Sequence, residues 1–135
     1  MLTVATWNLE NLFRPADDAG VESTGAYQAK LKALAETITA LAPDVLAVQE
    51  VGDPEALADL MGRLGGGWYS ALANPDGRGI GVGVLSRLPL SNVGQVVDFP
   101  EGLRPIQVDD TATTMSEMGR PALHVRWRLR ALPST

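Results

Sequence analysis

A chain of 135 residues, 45% hydrophobic and 20% charged, has the balance of one globular domain and excludes a disordered tail as a description of the whole. Its net charge of −5 and pI near 4.7 exclude a module that grips nucleic acid through a broad basic surface, because such binding rests on Lys and Arg neutralising phosphates. With no cysteine there are no disulfides, thiolate metal sites or cysteine nucleophiles, so any metal must sit on oxygen or on the single histidine, His124.

The opening "MLTVATWNLE" has no basic start and reaches Trp7 and Asn8 before any long apolar stretch, so it does not read as a signal peptide. No run approaches about 20 apolar residues, so no membrane span is expected, and the default compartment is the cytoplasm. Leu2, Val4 and Ala5 begin a short β-like run ending at Asn8, and "RPADDAGVESTG" (14 to 25) gathers turn formers and reads as a surface loop. The period then changes. Leu31, Leu34, Ala35, Ile38, Leu41 and Ala42 fall at helical spacing and make one apolar stripe, which Pro43 ends by pushing its predecessor out of the α region.

"DVLAVQEV" (44 to 51) follows as a nearly continuous apolar run, the pattern of a strand buried on both faces, so strand, helix and strand form a crossover unit. In "DPEALADLMGRLGGG", Asp53 is the N-cap, Pro54 the first helical residue, Leu57, Leu60, Met61 and Leu64 the apolar stripe, and Gly65 the stop. Beyond it the pattern is β: "WYSALA", "GIGVGVLS" and "NVGQVVDF", with "NPDGRG" as a turn between the first two. Residues 100 to 119 read as a long loop with a short strand at 105 to 108. "PALHVRWRL" closes the pattern as a strand on which Leu123, Val125, Trp127 and Leu129 alternate with His124, Arg126, Arg128 and Arg130.

Polar pairs stand at the ends of the first two strands: Asn8 and Glu10 on one, Gln49 and Glu50 on the other. In α/β sheets ligands gather at the carboxyl ends of strands. Parallel neighbours ending in Asn8 and Glu50 would bring an amide oxygen and a carboxylate to one point, a donor pair suited to a hard cation such as Mg²⁺. The same spacing is met equally by residues that only close strand ends and make turns.

"TWNLENL", "YQAKLKALAETITALAPDVLAVQEV" and "GVGVLSRLPL" occur in that order over residues 2 to 90, and together they closely resemble the N-terminal half of the endonuclease/exonuclease/phosphatase superfamily. The resemblance implies an α/β fold of the α+β kind: half of a four-layer α/β/β/α sandwich, with one mixed sheet and helices on one face. It implies hydrolysis of phosphoric esters, with a phosphate ester or nucleic acid as substrate and Mg²⁺ or Mn²⁺ as cofactor. Glu50 corresponds to the metal carboxylate, Asn8 to the amide beside metal and scissile phosphate, and Gln49 to a supporting neighbour. The resemblance gives Glu10 and Asn11 no ligand role.

The family's second half supplies a histidine with its aspartate, a "GDxN" turn and a final "DH" pair, and none of these patterns occurs in the 135 residues. Asp109-Asp110 lies between Val108 and Thr111, and His124 follows Leu123. The chain is therefore expected to be a single, truncated domain without a base to activate water. The rival expectation is a non-catalytic remnant, or a binding or assembly module. If the partner sheet is missing, strands 44 to 50 and 80 to 86 leave an apolar face open, and self-association through it is expected.

The other conspicuous residues have plainer readings. His124 and the arginines beside it mark the polar face of an edge strand. The glycines of "GRGIGVGV" suit close strand packing, Ser86-Arg87 a turn, Trp7 the core and Trp68 its rim. Ser70 and Ser91 have no base in sequence reach.

Overall fold

The computed structural model describes residues 1–15, 21–103, 106–107 and 114–128. In chain order the elements are β1 (Val4–Leu12), α1 (Val21–Leu41), β2 (Val45–Val51), α2 (Pro54–Leu64), β3 (Tyr69–Leu72), β4 (Gly81–Ser86), β5 (Leu90–Asp98), β6 (Ile106–Gln107), β7 (Thr114–Met115) and β8 (Glu117–Trp127). The main sheet has the order β1-β2-β4-β3, with β1 parallel to β2 and the other pairs antiparallel. It is a mixed sheet, as expected, and β1–α1–β2 is the crossover unit.

Both helices lie on one face of this sheet. Leu31, Leu34 and Ile38 of α1 and Leu57 and Leu60 of α2 share one buried cluster with Leu9, Leu46, Val48 and Leu85 of the strands. The helical stripe begins earlier and ends earlier than its spacing suggests: Tyr27 is buried, whereas Leu41 is 54% exposed. α1 also begins at Val21, so residues 21 to 25 are helix and not loop; their turn-forming composition is overridden by docking of the following turns against α2 and the sheet. The helix ends where proline demands it, with Ala42 at φ 46° before Pro43.

α2 is built as its sequence announces. The Asp53 carboxylate accepts from Ala56 N at 2.6 Å, Pro54 occupies the first turn, and Gly65 follows the last with φ 85°. In the 74 to 79 turn, Asp76 Oδ1 accepts from the amides of Arg78 and Ile80. Gly83 is closely packed, since a Cβ would stand 3.1 Å from Ala71 O and 3.3 Å from Val48 Cγ2, tight contacts that a side chain would have to push apart.

Two expectations need correction. β8 starts at Glu117, inside the stretch read as a loop and ahead of the "PALH" run, and it pairs with β5 outside the main sheet. The ladder shifts register between Val96 and Asp98, and Pro121 falls in that irregular stretch, where its missing N–H costs no regular ladder bond. Further, the face turned away from the helices is not an open apolar plane. Val45, Ala71 and Val84 on it are 3%, 8% and 8% exposed, and β8 and β5 contact β4 and β3. The short strand expected at 105 to 108 is present as β6, whereas Asp109-Asp110, Leu129 and Arg130 lie outside the described residues.

Candidate functional site

The register of the parallel pair places Asn8 opposite Gln49, so Glu50 stands one step beyond Asn8 at the same end of the sheet. Regular pairing then breaks on both neighbours of that point: between Asn8 and Leu12 in the β1–β2 ladder and between Val48 and Val51 in the β2–β4 ladder. Three residues there, Glu10 (φ 53°), Asn11 (φ 53°) and Glu50 (φ 59°), adopt the left-handed region. For residues other than glycine this is unfavourable, and such conformations persist only where surroundings over-determine them.

The surroundings are visible as hydrogen bonds. Asn8 Oδ1 accepts from Glu10 N at 2.8 Å, and Glu50 Oε2 accepts from Asn11 N at 3.0 Å. Two consecutive main-chain amides thus fix the amide oxygen and the carboxylate, one each. Lys30 Nζ, from α1, donates to Glu10 O. Gln49 turns to the sheet face away from the helices, where its Nε2 donates to Thr6 Oγ1 at 2.9 Å. The structure therefore brings Asn8 and Glu50 to one short bulge and sets Gln49 beside it, bracing β2 to β1. A hollow of about 330 Å³ lined by Trp7, Asn8, Glu10 and Lys30 adjoins the bulge.

Just past the bulge, a second group of contacts anchors the end of β1. Leu12 O accepts from Gly52 N at 2.8 Å, and Arg14 N donates to Asp53 Oδ2 at 2.9 Å. Arg14 forms a two-pronged pair with Asp59 of α2, Nε to Oδ2 and Nη2 to Oδ1, both at 2.7 Å, and Tyr27 Oη donates to the same Oδ2 at 2.7 Å. The Arg14 and Tyr27 donors hold the Asp59 carboxyl down at about 2, burial and the Asp59 charge push the Tyr27 phenol up to about 12, and Asp59 raises the Arg14 guanidinium. A Cβ on Gly52 would fall 2.3 Å from the Phe13 ring, so a side chain there needs that ring to move.

Sequence reasoning missed Lys30, Arg14, Tyr27 and Asp59. Each is an ordinary residue on a helix or loop, and only its partner, 20 to 45 positions away, gives it a role. Asn11 carried a faint signal, since Asn tolerates left-handed backbone. The residues read as structural keep that reading: Ser86 Oγ closes its turn by donating to Leu88 O and accepting from Leu88 N, and Trp7 and Trp68 pack against the core. His124 is exposed on β8 opposite Gly94.

The donor set fits a hard cation in part. A carboxylate and an amide oxygen, each already oriented by a main-chain amide, are the ligand types such an ion takes. Among the described residues no group of three or more His, Cys, Asp or Glu side chains gathers, so waters and substrate oxygens would complete the shell. No helix among the described residues is long and apolar enough to cross a membrane.

No curated protein and no solved structure matches the chain. A family model does: that of the Endonuclease/Exonuclease/phosphatase family matches residues 5–132. The match runs from the strand that carries Asn8, through Glu50 and both helices, to beyond β8, and the chain belongs to this nuclease- and phosphatase-like family, whose members are generally metal-dependent.

Proposed function

We propose that the chain supplies the metal-holding part of a Mg²⁺-dependent phosphoric ester hydrolase of the phosphodiesterase or nuclease-like kind, acting on a phosphate ester or nucleic acid. The observation that carries the reading is the bulge in which consecutive amides of Glu10 and Asn11 fix Asn8 Oδ1 and Glu50 Oε2. Glu50 is the metal carboxylate and Asn8 the neighbouring amide, directed at the metal and the scissile phosphate. A bound Mg²⁺ or Mn²⁺ supplies Lewis-acid polarisation of a phosphoryl oxygen and neutralises charge on the leaving group. The residues orient: the Glu10 amide engages one lone pair of the Asn8 oxygen, the Asn11 amide engages one oxygen of Glu50, and Gln49 bonds β2 to β1.

A second reading is favoured by one observation. Among the described residues no group of three or more His, Cys, Asp or Glu side chains gathers, and His124 lies on the separate β5–β8 sheet. In-line displacement needs a base on the side opposite the leaving group. On this reading the described residues serve as a binding or assembly module.

Calorimetric titration with Mn²⁺ tests the first reading: weak binding by wild type and its loss in Glu50→Ala are expected, and equal binding by both proteins overturns it. Turnover of a generic phosphodiester by the purified chain separates the two readings. A rate indistinguishable from buffer is expected; robust Mg²⁺-dependent hydrolysis lost in both Asn8→Ala and Glu50→Ala rejects the second.

A further inference from the structure

The peptide group between Glu10 and Asn11 is held at both ends. Its carbonyl accepts from Lys30 Nζ on α1, and its N–H donates to Glu50 Oε2 on β2. A trans peptide is planar, with C=O and N–H pointing in opposite directions, so one rigid plate spans the ammonium and the carboxylate. Both flanking residues sit at φ 53°, and neither is glycine. Local backbone preference therefore opposes this orientation, and contacts from outside the segment must maintain it.

Lys30 is suited to that task. It is half-buried, its side chain lines the hollow shared with Trp7 and Asn8, and its hydrogen bond goes to a main-chain oxygen and not to a surface carboxylate. A cation on the carbonyl also polarises the peptide and strengthens its N–H as a donor. Loss of the ammonium frees the plate to rotate toward ordinary φ, which turns the Asn11 N–H away from Glu50.

We propose that Lys30 is a positioning residue for Glu50, acting through the Glu10–Asn11 peptide: it keeps the Asn11 N–H on Oε2 and so leaves Oε1 as the oxygen available to a cation. Lys30 itself touches neither metal nor substrate. The inference rests on the reading of Glu50 as the metal carboxylate, and its test separates the two.

Amide hydrogen exchange is measured on the full chain without metal, as wild type, Lys30→Met and Lys30→Arg. Asn11 is expected to exchange about tenfold faster in Lys30→Met, equivalent to a hydrogen bond worth about 1.4 kcal/mol, and near the wild-type rate in Lys30→Arg. The amides of Leu46 and Val48 are expected to be unchanged. In parallel, Mn²⁺ titration should show about tenfold weaker binding by Lys30→Met, the low end of the loss when a group that orients a ligand is removed. Unchanged Asn11 exchange in Lys30→Met overturns the proposal. So does equal acceleration at Leu46 and Val48, which would make Lys30 a general stabiliser. If wild type binds Mn²⁺ no better than Glu50→Ala, the metal reading fails, and the exchange data alone decide whether Lys30 orients Glu50.

Discussion

Among the described residues, the partners of Asp59 and Asp76 hold these carboxyls below their ordinary value. Arg14, then Tyr27, hold Asp59 at about 2, and Arg120, then the Ile80 amide, hold Asp76 at about 2, against an ordinary value of 3.8. A carboxyl held below its unfolded value stabilises the fold fully above pH 3.8, and that contribution is lost as pH falls toward 2. Tyr27 has the opposite sign. Its phenol is raised from 10.0 to about 12, so its contribution is complete below pH 10 and disappears as pH rises through 12. Urea unfolding over a pH series is expected to show stability falling at both extremes, with a flatter acid limb in Asp59→Asn and a flatter alkaline limb in Tyr27→Phe. Identical limbs in wild type and variants would mean that the Arg14–Asp59–Tyr27 contact is not maintained in solution.

At the scale of the element, α2 shows how one residue ties a helix to a strand. Asp53 Oδ1 caps the helix through Ala56 N, and Oδ2 accepts from Arg14 N at the end of β1. Asp53→Ala removes both and is expected to cost about 2 kcal/mol, the upper end for a cap. Asp53→Asn keeps an oxygen for the Ala56 amide and should cost clearly less. Chemical denaturation of the three proteins checks this, and equal midpoints would remove the cap from the account of α2. The element also sets the site, because Gly52 and Asp53 follow directly on the strand end that carries Glu50.

For the whole molecule, the question is how far the sheet face opposite the helices is available to a second copy. Val45, Ala71 and Val84 are buried there, while Val4 and Tyr69 remain 59% and 46% exposed. The β5–β8 sheet is tied to the 74 to 79 turn by Arg120, which holds Asp76 Oδ2 at 2.7 Å, and by Gln95 Oε1, which accepts from Asn74 N at 2.9 Å. We propose that any self-association is controlled by this tie. Arg120→Ala should loosen the β5–β8 sheet, expose more apolar surface and raise both light scattering and binding of an apolar-surface dye across a dilution series. Scattering and dye binding equal to wild type would show that the β5–β8 sheet does not control access to this face.

The sequence alone determined the elements whose signals are local: the crossover unit, the capped α2, the Asp76 turn and the helical stripe from Leu31 to Ile38. Each is decided within a few residues, by periodicity, caps and turn chemistry. It also placed Asn8 and Glu50 at neighbouring strand ends, since parallel pairing follows from strand, helix and strand. Only the tertiary structure decided that Glu10, Asn11 and Glu50 take left-handed backbone, that Lys30 and Asn11 reach the site, that Arg14 and Tyr27 meet on Asp59, and that β5 and β8 form their own sheet. These features join groups 20 to 45 positions apart, and nothing in the residues around either partner specifies the other. Strained backbone in particular is invisible to local preference, because it is held against that preference by contacts that exist only once the chain is folded.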